Sequence, residues 1–225
     1  MKPVRALTFV ALGSALLSAG CLGGAYTLAK VDDSGSEEMI TREIPWDGST
    51  RASLELPAVM RYVQAPGPGR IVARGPHRSV STLKVSNGAI HDTLLHTGAV
   101  LEITLTAPSV NSFQLNGRSR LTIEGYDQDS LALSTQGGAA IEASGRAREV
   151  RVFMQGDSDI NLARLSTDAI DGYVSGIGAL VARPAQRANL EMTGMAAAVL
   201  LTRPPDLKTR LEGSSRVIDA SPAPN

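Results

Sequence analysis

Two carboxylates, Asp157 and Asp159, lie two residues apart in the segment Gly156-Asp157-Ser158-Asp159. Residues at that separation point to the same face of a strand, so the pair could hold a cation or accept hydrogen bonds from sugar hydroxyls. Two acids at a fixed separation are also what glycoside hydrolysis requires. No further acid, base or nucleophile assembles around this pair in the sequence pattern, and solvated surface acids are the simpler interpretation.

The other chemical motifs are weaker. His91 and His96 are an odd number of residues apart, which puts the two imidazoles on opposite faces of any strand and argues against a metal site. Gly156-Asp157-Ser158 lacks the second glycine of a nucleophile elbow, and Gly176-Ile177-Gly178 opens no helix that could bind a dinucleotide. We therefore predict no catalytic residue, no cofactor and no metal, and a protein that is not an enzyme.

Composition narrows the class of protein further. Lys and Arg number 22, as do Asp and Glu, so no basic field favours nucleic acid as a partner. Cys21 is the single cysteine, which excludes an intramolecular disulfide framework. Hydrophobic residues make up 43% of the chain and aromatic residues 4%, a balance suited to a core of stacked small aliphatic side chains.

A glycine recurs at near-constant spacing through the second half of the chain. Successive members are 20, 19, 20, 18 and 19 residues apart. Such a period is typical of arrays in which each unit buries its apolar surface by stacking on the next. We interpret these residues as structural corner glycines: Gly117, Gly137, Gly156, Gly176, Gly194 and Gly213.

Apolar residues lie at even offsets from each glycine, which is the period of a β-strand. Each repeat is therefore read as two short strands that meet at a corner. The same strand of successive repeats then pairs in parallel about 4.8 Å apart. We predict an all-β fold, a right-handed parallel β-solenoid (β-helix) with coils of about 19 residues. The amides of Asn116, Gln136 and Gln155, each one residue before its glycine, are expected to form a ladder.

The N-terminus has the pattern of a targeting segment. Lys2 and Arg5 precede an uncharged stretch from Ala6 to Ala29. We predict that residues 1–30 form a hydrophobic signal or membrane-anchor helix, with the rest of the chain on the non-cytoplasmic side. Ser18-Ala19-Gly20-Cys21 is similar to a bacterial lipobox, so lipidation of Cys21 stays open beside an ordinary signal or a retained anchor.

Four segments follow from these patterns. Residues 31–41 are predicted to be an acidic flexible linker after the N-terminal segment. Residues 42–219 form a single solenoid domain, with irregular first coils over 42–110 and regular repeats over 111–219. Residues 220–225 are expected to be a disordered tail.

The run from Ile103 to Val110, leading into Phe113-Gln114-Leu115-Asn116-Gly117 and the glycine repeats, resembles the bacterial GIN domain, also called the putative auto-transporter adhesin head domain. The resemblance covers about residues 42–218. It implies a β-helical domain on the outer side of a bacterial cell membrane, with no established activity. The family repeat usually runs G-S-G-D, but here only the repeat at Gly156 keeps an acid at the last position, so a ladder of acids is not expected.

We therefore expect a non-catalytic envelope protein, periplasmic or on the surface, that presents the solenoid to an envelope protein or surface glycan. A carbohydrate-active enzyme using the Asp157 and Asp159 face, or a purely structural accessory, stay as alternatives. Odd offsets face outward, and on two neighbouring coils they are apolar, which predicts an exposed interaction patch. Its residues are Ile177, Val181, Met195, Val199 and Leu201.

Overall fold

The computed structural model describes residues 26–28, 38–92 and 100–221. These residues form 17 strands and one short helix. The elements are β1 (Tyr26–Leu28), β2 (Met39–Pro45), β3 (Arg51–Leu54), β4 (Ala58–Gln64), β5 (Arg70–Pro76), α1 (His77–Thr82), β6 (Leu83–Ser86), β7 (Ala89–Asp92), β8 (Leu101–Ala107), β9 (Ser112–Asn116), β10 (Arg120–Gly137), β11 (Ala140–Asp157), β12 (Asp159–Ile177), β13 (Ala179–Ala182), β14 (Pro184–Gly194), β15 (Ala197–Leu200), β16 (Asp206–Leu211) and β17 (Arg216–Asp219).

The regular part is a β-solenoid, and the whole array makes about five turns. Strands β10, β11 and β12 are parallel and in register, with Leu133 beside Val152 and Val152 beside Gly172. They are too long for ordinary single strands, and register shifts between Ile123 and Tyr126 in β10 mark the bend between two faces. Strands β14 and β16 continue one face of the coil, and β13, β15 and β17 continue the other.

The first part of the array is built differently. Strand β4 pairs in parallel with β8 on one side and with the first part of β10 on the other. Antiparallel pairing then takes over, because β5 pairs with β8 and β2 pairs with β5. The array begins at Met39 in β2, three residues before the predicted start of the solenoid domain. The non-repetitive N-terminal part thus adds an antiparallel pair of strands, β5 and β2, to the edge of the first coil.

The core is a stack of inward side chains, as period-two spacing requires. In the regular coils these are small aliphatics such as Leu133, Val152 and Leu190, all buried. The N-terminal coils hold larger rings, and Tyr62 meets Phe113 edge to face with ring centroids 5.1 Å apart. Burial raises the pKa of the Tyr62 phenol.

The predicted N-terminal helix is not supported by the structure. Most of residues 1–30, including Cys21, lies outside the described residues, and Tyr26–Leu28 forms β1, antiparallel to β2. An extended segment paired to a sheet at this point is not the end of an apolar helix that runs to Ala29. Nowhere in the described ranges does a helix reach the length and apolar character that crossing a bilayer requires.

Candidate functional site

The six corner glycines form one column along the solenoid. All have positive φ, and Gly176 follows Gly156 in register. A Cβ added at Gly156 would lie 3.0 Å from the carbonyl oxygen of Gly137 in the preceding coil, so only glycine lets the backbones approach this closely. The glycine column forms the corner between two outer faces of the solenoid. Because glycine has no side chain, any binding group must come from those two faces.

Asp157 and Asp159 lie at this corner and both are exposed. Asp159 Oδ1 accepts a hydrogen bond of 2.9 Å from the backbone N–H of Ala179 in the next coil. That contact makes Asp159 a cap for the following turn. Across residues 38–92 and 100–221, no three His, Cys, Asp or Glu side chains come together as a metal site. His91 lies in β7 opposite Lys84, and His96 falls outside the described residues.

The residues of the predicted apolar patch lie on the face that follows the glycine column. Ile177 and Met195 occupy matching positions in neighbouring coils and are 54% and 57% exposed. Val181 pairs with Val199 across β13 and β15, and both are half-buried, as is Leu201. The five side chains are outward, and the patch is most exposed at its Ile177 and Met195 end.

The predicted amide ladder is partial. Gln136 Nε2 donates a hydrogen bond of 3.1 Å to Gln155 Oε1. Asn116 does not extend the row, because its Oδ1 is buried without a hydrogen-bond partner in the described part of the chain. Further along, Thr193 Oγ1 donates to Ser175 Oγ at 3.0 Å, so hydroxyls continue the column where amides end.

The face that precedes the glycine column carries a feature that the sequence reasoning missed. Phe153 and Tyr173 stack with ring centroids 5.3 Å apart and an angle of 14° between the ring planes. They are 44% and 36% exposed, unusual for the only two rings on a regular, largely polar face in the described residues. Each lies three residues before its corner glycine, and that shared offset was the signal that could have revealed them.

Beside the rings runs a shallow channel, here called the β10 groove. Its floor is formed by small outward side chains of β10, and its walls by longer side chains of the coils on either side. The floor is Ser130, Ala132 and Ser134; one wall is Glu149, Arg151 and Phe153; the other is Asn111 and Gln114. The part of the groove above Ala132 encloses about 270 Å³.

The charges around the groove are not all neutralised. Arg148 donates to Asp129 at 2.8 Å, and this carboxylate raises the pKa of the guanidinium. Arg51 donates to the side-chain oxygen of Gln114 on the far wall. Arg151, by contrast, makes no ion pair or hydrogen bond with any residue in the described ranges, and it is exposed. The groove therefore has an available cation next to an exposed aromatic ring.

A model of the family described as "putative auto-transporter adhesin, head GIN domain" matches residues 26–204. The chain belongs to the GIN-domain family. The match includes the groove and the whole apolar patch, and it ends before β16.

Two solved structures are similar to this GIN domain. One is a putative adhesin from Bacteroides fragilis, 14% identical, with a TM-score of 0.62 over 81% of this chain and 97% of that one. The other is a putative lipid binding protein from Parabacteroides distasonis, 14% identical, with a TM-score of 0.51 over 83% and 98%. At these identities the likeness supports the solenoid fold alone. The comparison with curated proteins gave no match.

Proposed function

We propose that this GIN domain is a non-catalytic, adhesin-like protein of the bacterial cell envelope, and that its outer surface contacts an envelope protein or a surface glycan. Family and fold support the coarse assignment of an adhesin-like envelope protein. The non-cytoplasmic location and membrane attachment through residues 1–30, with lipidation of Cys21 as one route, belong to the same proposal.

The observation that carries the proposal is the exposed end of the apolar patch. Ile177 and Met195 each leave more than half of the side chain in solvent on adjacent coils. A contiguous apolar patch on a solvent-exposed face usually marks an interaction site. A purely structural accessory would gain nothing from it. The enzyme alternative is weakened because the Asp159 carboxylate already accepts the backbone hydrogen bond of the next corner.

Cell attachment tests the proposal. Cells that express the full-length chain are compared with cells that lack it, on surfaces coated with envelope preparations and with surface glycans. We expect attachment to depend on the protein and to fall several-fold when Ile177→Asp and Met195→Asp are combined. Because both side chains are mostly exposed, the double variant should keep the thermal midpoint of the parent.

A matched control places the same chemical change on a different surface. Val59 is exposed on β4, so Val59→Asp also replaces an outward aliphatic by an acid. Attachment should be unchanged in this variant. Equal attachment of cells with and without the protein would overturn the proposed function.

A further inference from the structure

The β10 groove contains an unfilled position in a column of stacked side chains. Along this column, Ser134 lies beside Phe153, and Phe153 lies beside Tyr173. The two rings are 5.3 Å apart and nearly parallel, so each covers one face of the other. The uncovered face of Phe153 is directed toward the preceding coil, where the small side chain of Ser134 leaves that face open.

The spacing of the coils determines what could occupy this position. Parallel strands are about 4.8 Å apart, so Gln114, two coils from Phe153, lies roughly 10 Å away along the axis. A single flat ring above Ser134 would then be near 5 Å from both Phe153 and the Gln114 side chain. That separation matches the one already present between Phe153 and Tyr173. The gap is therefore one ring thick.

The groups around the gap select the kind of ring. Phe153 offers an aromatic face, whose negative quadrupole attracts C–H bonds that carry partial positive charge. Gln114, Gln136 and Gln155 bring amides to the edges of the gap, and amides both donate to and accept from hydroxyls. A pyranose combines an apolar C–H face with a rim of hydroxyls, so it can stack on Phe153 and also hydrogen-bond to the amide groups that the Gln136–Gln155 and Arg51–Gln114 contacts leave available.

Arg151 adds a charge preference. It lies two residues before Phe153 on the same face of β11, about 7 Å along the strand. Its guanidinium is exposed and has no partner among the described residues, and guanidinium binds carboxylates in a bidentate manner. Arg51, on the opposite side of the gap, adds a second cation. Two carboxylates lie near Arg151: Glu149 is two residues earlier on the same wall, and Asp171 is beside it on the next coil, where it already accepts a hydrogen bond of 3.2 Å from Arg187.

We infer that the β10 groove binds an acidic, linear glycan, with one sugar ring stacked on Phe153 above Ser134 and a carboxylate of the chain paired with Arg151. The floor residues Ser130, Ala132 and Ser134 follow one another along β10, so the groove follows the strand, which suits an extended chain rather than an enclosed small molecule. This inference deepens the proposed contact function and rests on it, but it uses a different face of the solenoid from the apolar patch.

Calorimetric titration of the full-length protein tests the inference. The probes are oligogalacturonate, oligomannuronate and a hyaluronan tetrasaccharide, each compared with maltotetraose as a neutral chain. We expect at least one acidic probe to bind, and to bind at least several-fold more tightly than maltotetraose. Phe153→Ala should weaken that binding at least tenfold, and Arg151→Gln should reduce the preference for the acidic chain. Absence of binding by all three acidic probes would overturn the inference.

Ser134→Phe is the decisive variant, because it fills the gap with a ring of the protein's own. The new ring would extend the Phe153 and Tyr173 stack, so the fold should be kept or stabilised while glycan binding is lost. Asn189→Phe is the matched control, since Asn189 is exposed on the same sheet, in β14, away from the groove. Glycan binding that survives Ser134→Phe, or that is lost equally in Asn189→Phe, would contradict the assignment.

The two proposals fail in different ways. If the acidic probes do not bind but cells still attach through Ile177 and Met195, only the glycan inference is wrong. If the expressing and the deleted cells attach equally, the contact function is wrong, whatever the calorimetry shows.

Discussion

The two ends of the solenoid differ in what lies against the terminal coil. At the N-terminal end, β5 and β2 add an antiparallel pair of strands beyond β8, and α1 packs against that pair with Val80 buried. Arg42 Nη1 donates to the carbonyl oxygens of Ser81 and Leu83 at 3.1 and 3.0 Å, which ties β2 to the helix end. The inward side chains of this end, such as Ile40 and Ile71, are fully covered.

At the C-terminal end, no described residue covers the last coil. Among the described strands, β16 pairs only with β14, and all of its side chains are exposed. Leu211 is 44% exposed, whereas Met192, one coil earlier in the same inward column, is completely buried. A parallel array buries each coil with the next one, so burial ends where stacking ends unless another element closes it. The difference predicts that stability is concentrated toward the closed end.

The largest effect is expected inside the closed end. Phe113 is fully buried and packs edge to face on Tyr62, so Phe113→Ala should lower the free energy of unfolding by about 3–5 kcal/mol. Denaturant titration of the full-length protein measures this. Phe153→Ala is the control, since it removes the same ring from an exposed position. Losses of similar size in both variants would mean that the N-terminal core is not the main source of stability.

Substitutions in the glycine column compare the stability cost of a side chain in the middle of the array with the cost at its first corner. Gly156 has a φ of +96°, and a Cβ there would crowd the backbone of Gly137. Gly156→Val should therefore cost about 1–3 kcal/mol through strain and contact. Gly117 has a φ of +75°, but a Cβ added there would meet no neighbouring atom within 4 Å, so Gly117→Val should cost less. An unchanged denaturation midpoint for Gly156→Val would rule out the close approach of the coils.

The inward column and the corners of the regular coils were predictable from the sequence because the same pattern recurs in each repeat. Period two assigns Leu133 and Val152 to the inside, and the recurring glycine locates the corner. The closed end was not predictable, because residues 42–110 contain no repeat and the pairing of β2 with β5 joins segments distant in sequence. Leu211 lies at an even offset from its glycine, which predicts an inward side chain, yet it is exposed. The offset gives only the direction of a side chain, and burial also requires a neighbouring coil.

The β10 groove on the outer surface was also not predictable from the sequence alone. Phe153 and Tyr173 are 20 residues apart, and only the register of β11 and β12 makes them neighbours. Their shared offset from the corner glycine was visible in the sequence, but two aromatic rings do not by themselves predict a site. The small residue at Ser134 becomes informative only when the register places it beside an exposed ring.

The closed end should also be the more sensitive to alkali. Tyr62 Oη donates to the Ala107 carbonyl at 3.0 Å and accepts from the Val110 N–H at 3.2 Å, within the core. Burial raises the pKa of Tyr62, and also that of Tyr126, above the unfolded value near 10. A raised folded pKa means that the stabilisation is complete below pH 10 and is lost as the pH rises beyond it.

We therefore expect the free energy of unfolding to fall above pH 10, by up to about 1.4 kcal/mol per pH unit for each buried tyrosine. Urea titrations at pH 9, 10 and 11 measure the slope. Tyr62→Phe removes one of the ionisable groups, so its stability, although lower at neutral pH, should decline less steeply. Parallel declines for the parent and Tyr62→Phe would show that folding does not raise the pKa of this phenol.

The smallest effect is expected at the open end. Leu211 and Met192 occupy the same inward column on adjacent coils, but within the described part of the chain only Met192 has a coil on both sides. Met192→Ala should cost about 2–5 kcal/mol, as for other buried side chains. Leu211→Ala should cost about 1 kcal/mol or less, because nearly half of the side chain is already in water. Denaturant titration gives both values, and amide exchange should be faster in β16 than in β2. If Leu211→Ala cost as much as Met192→Ala, and β16 were equally protected, the last coil would be covered in solution and the contrast between the two ends would disappear.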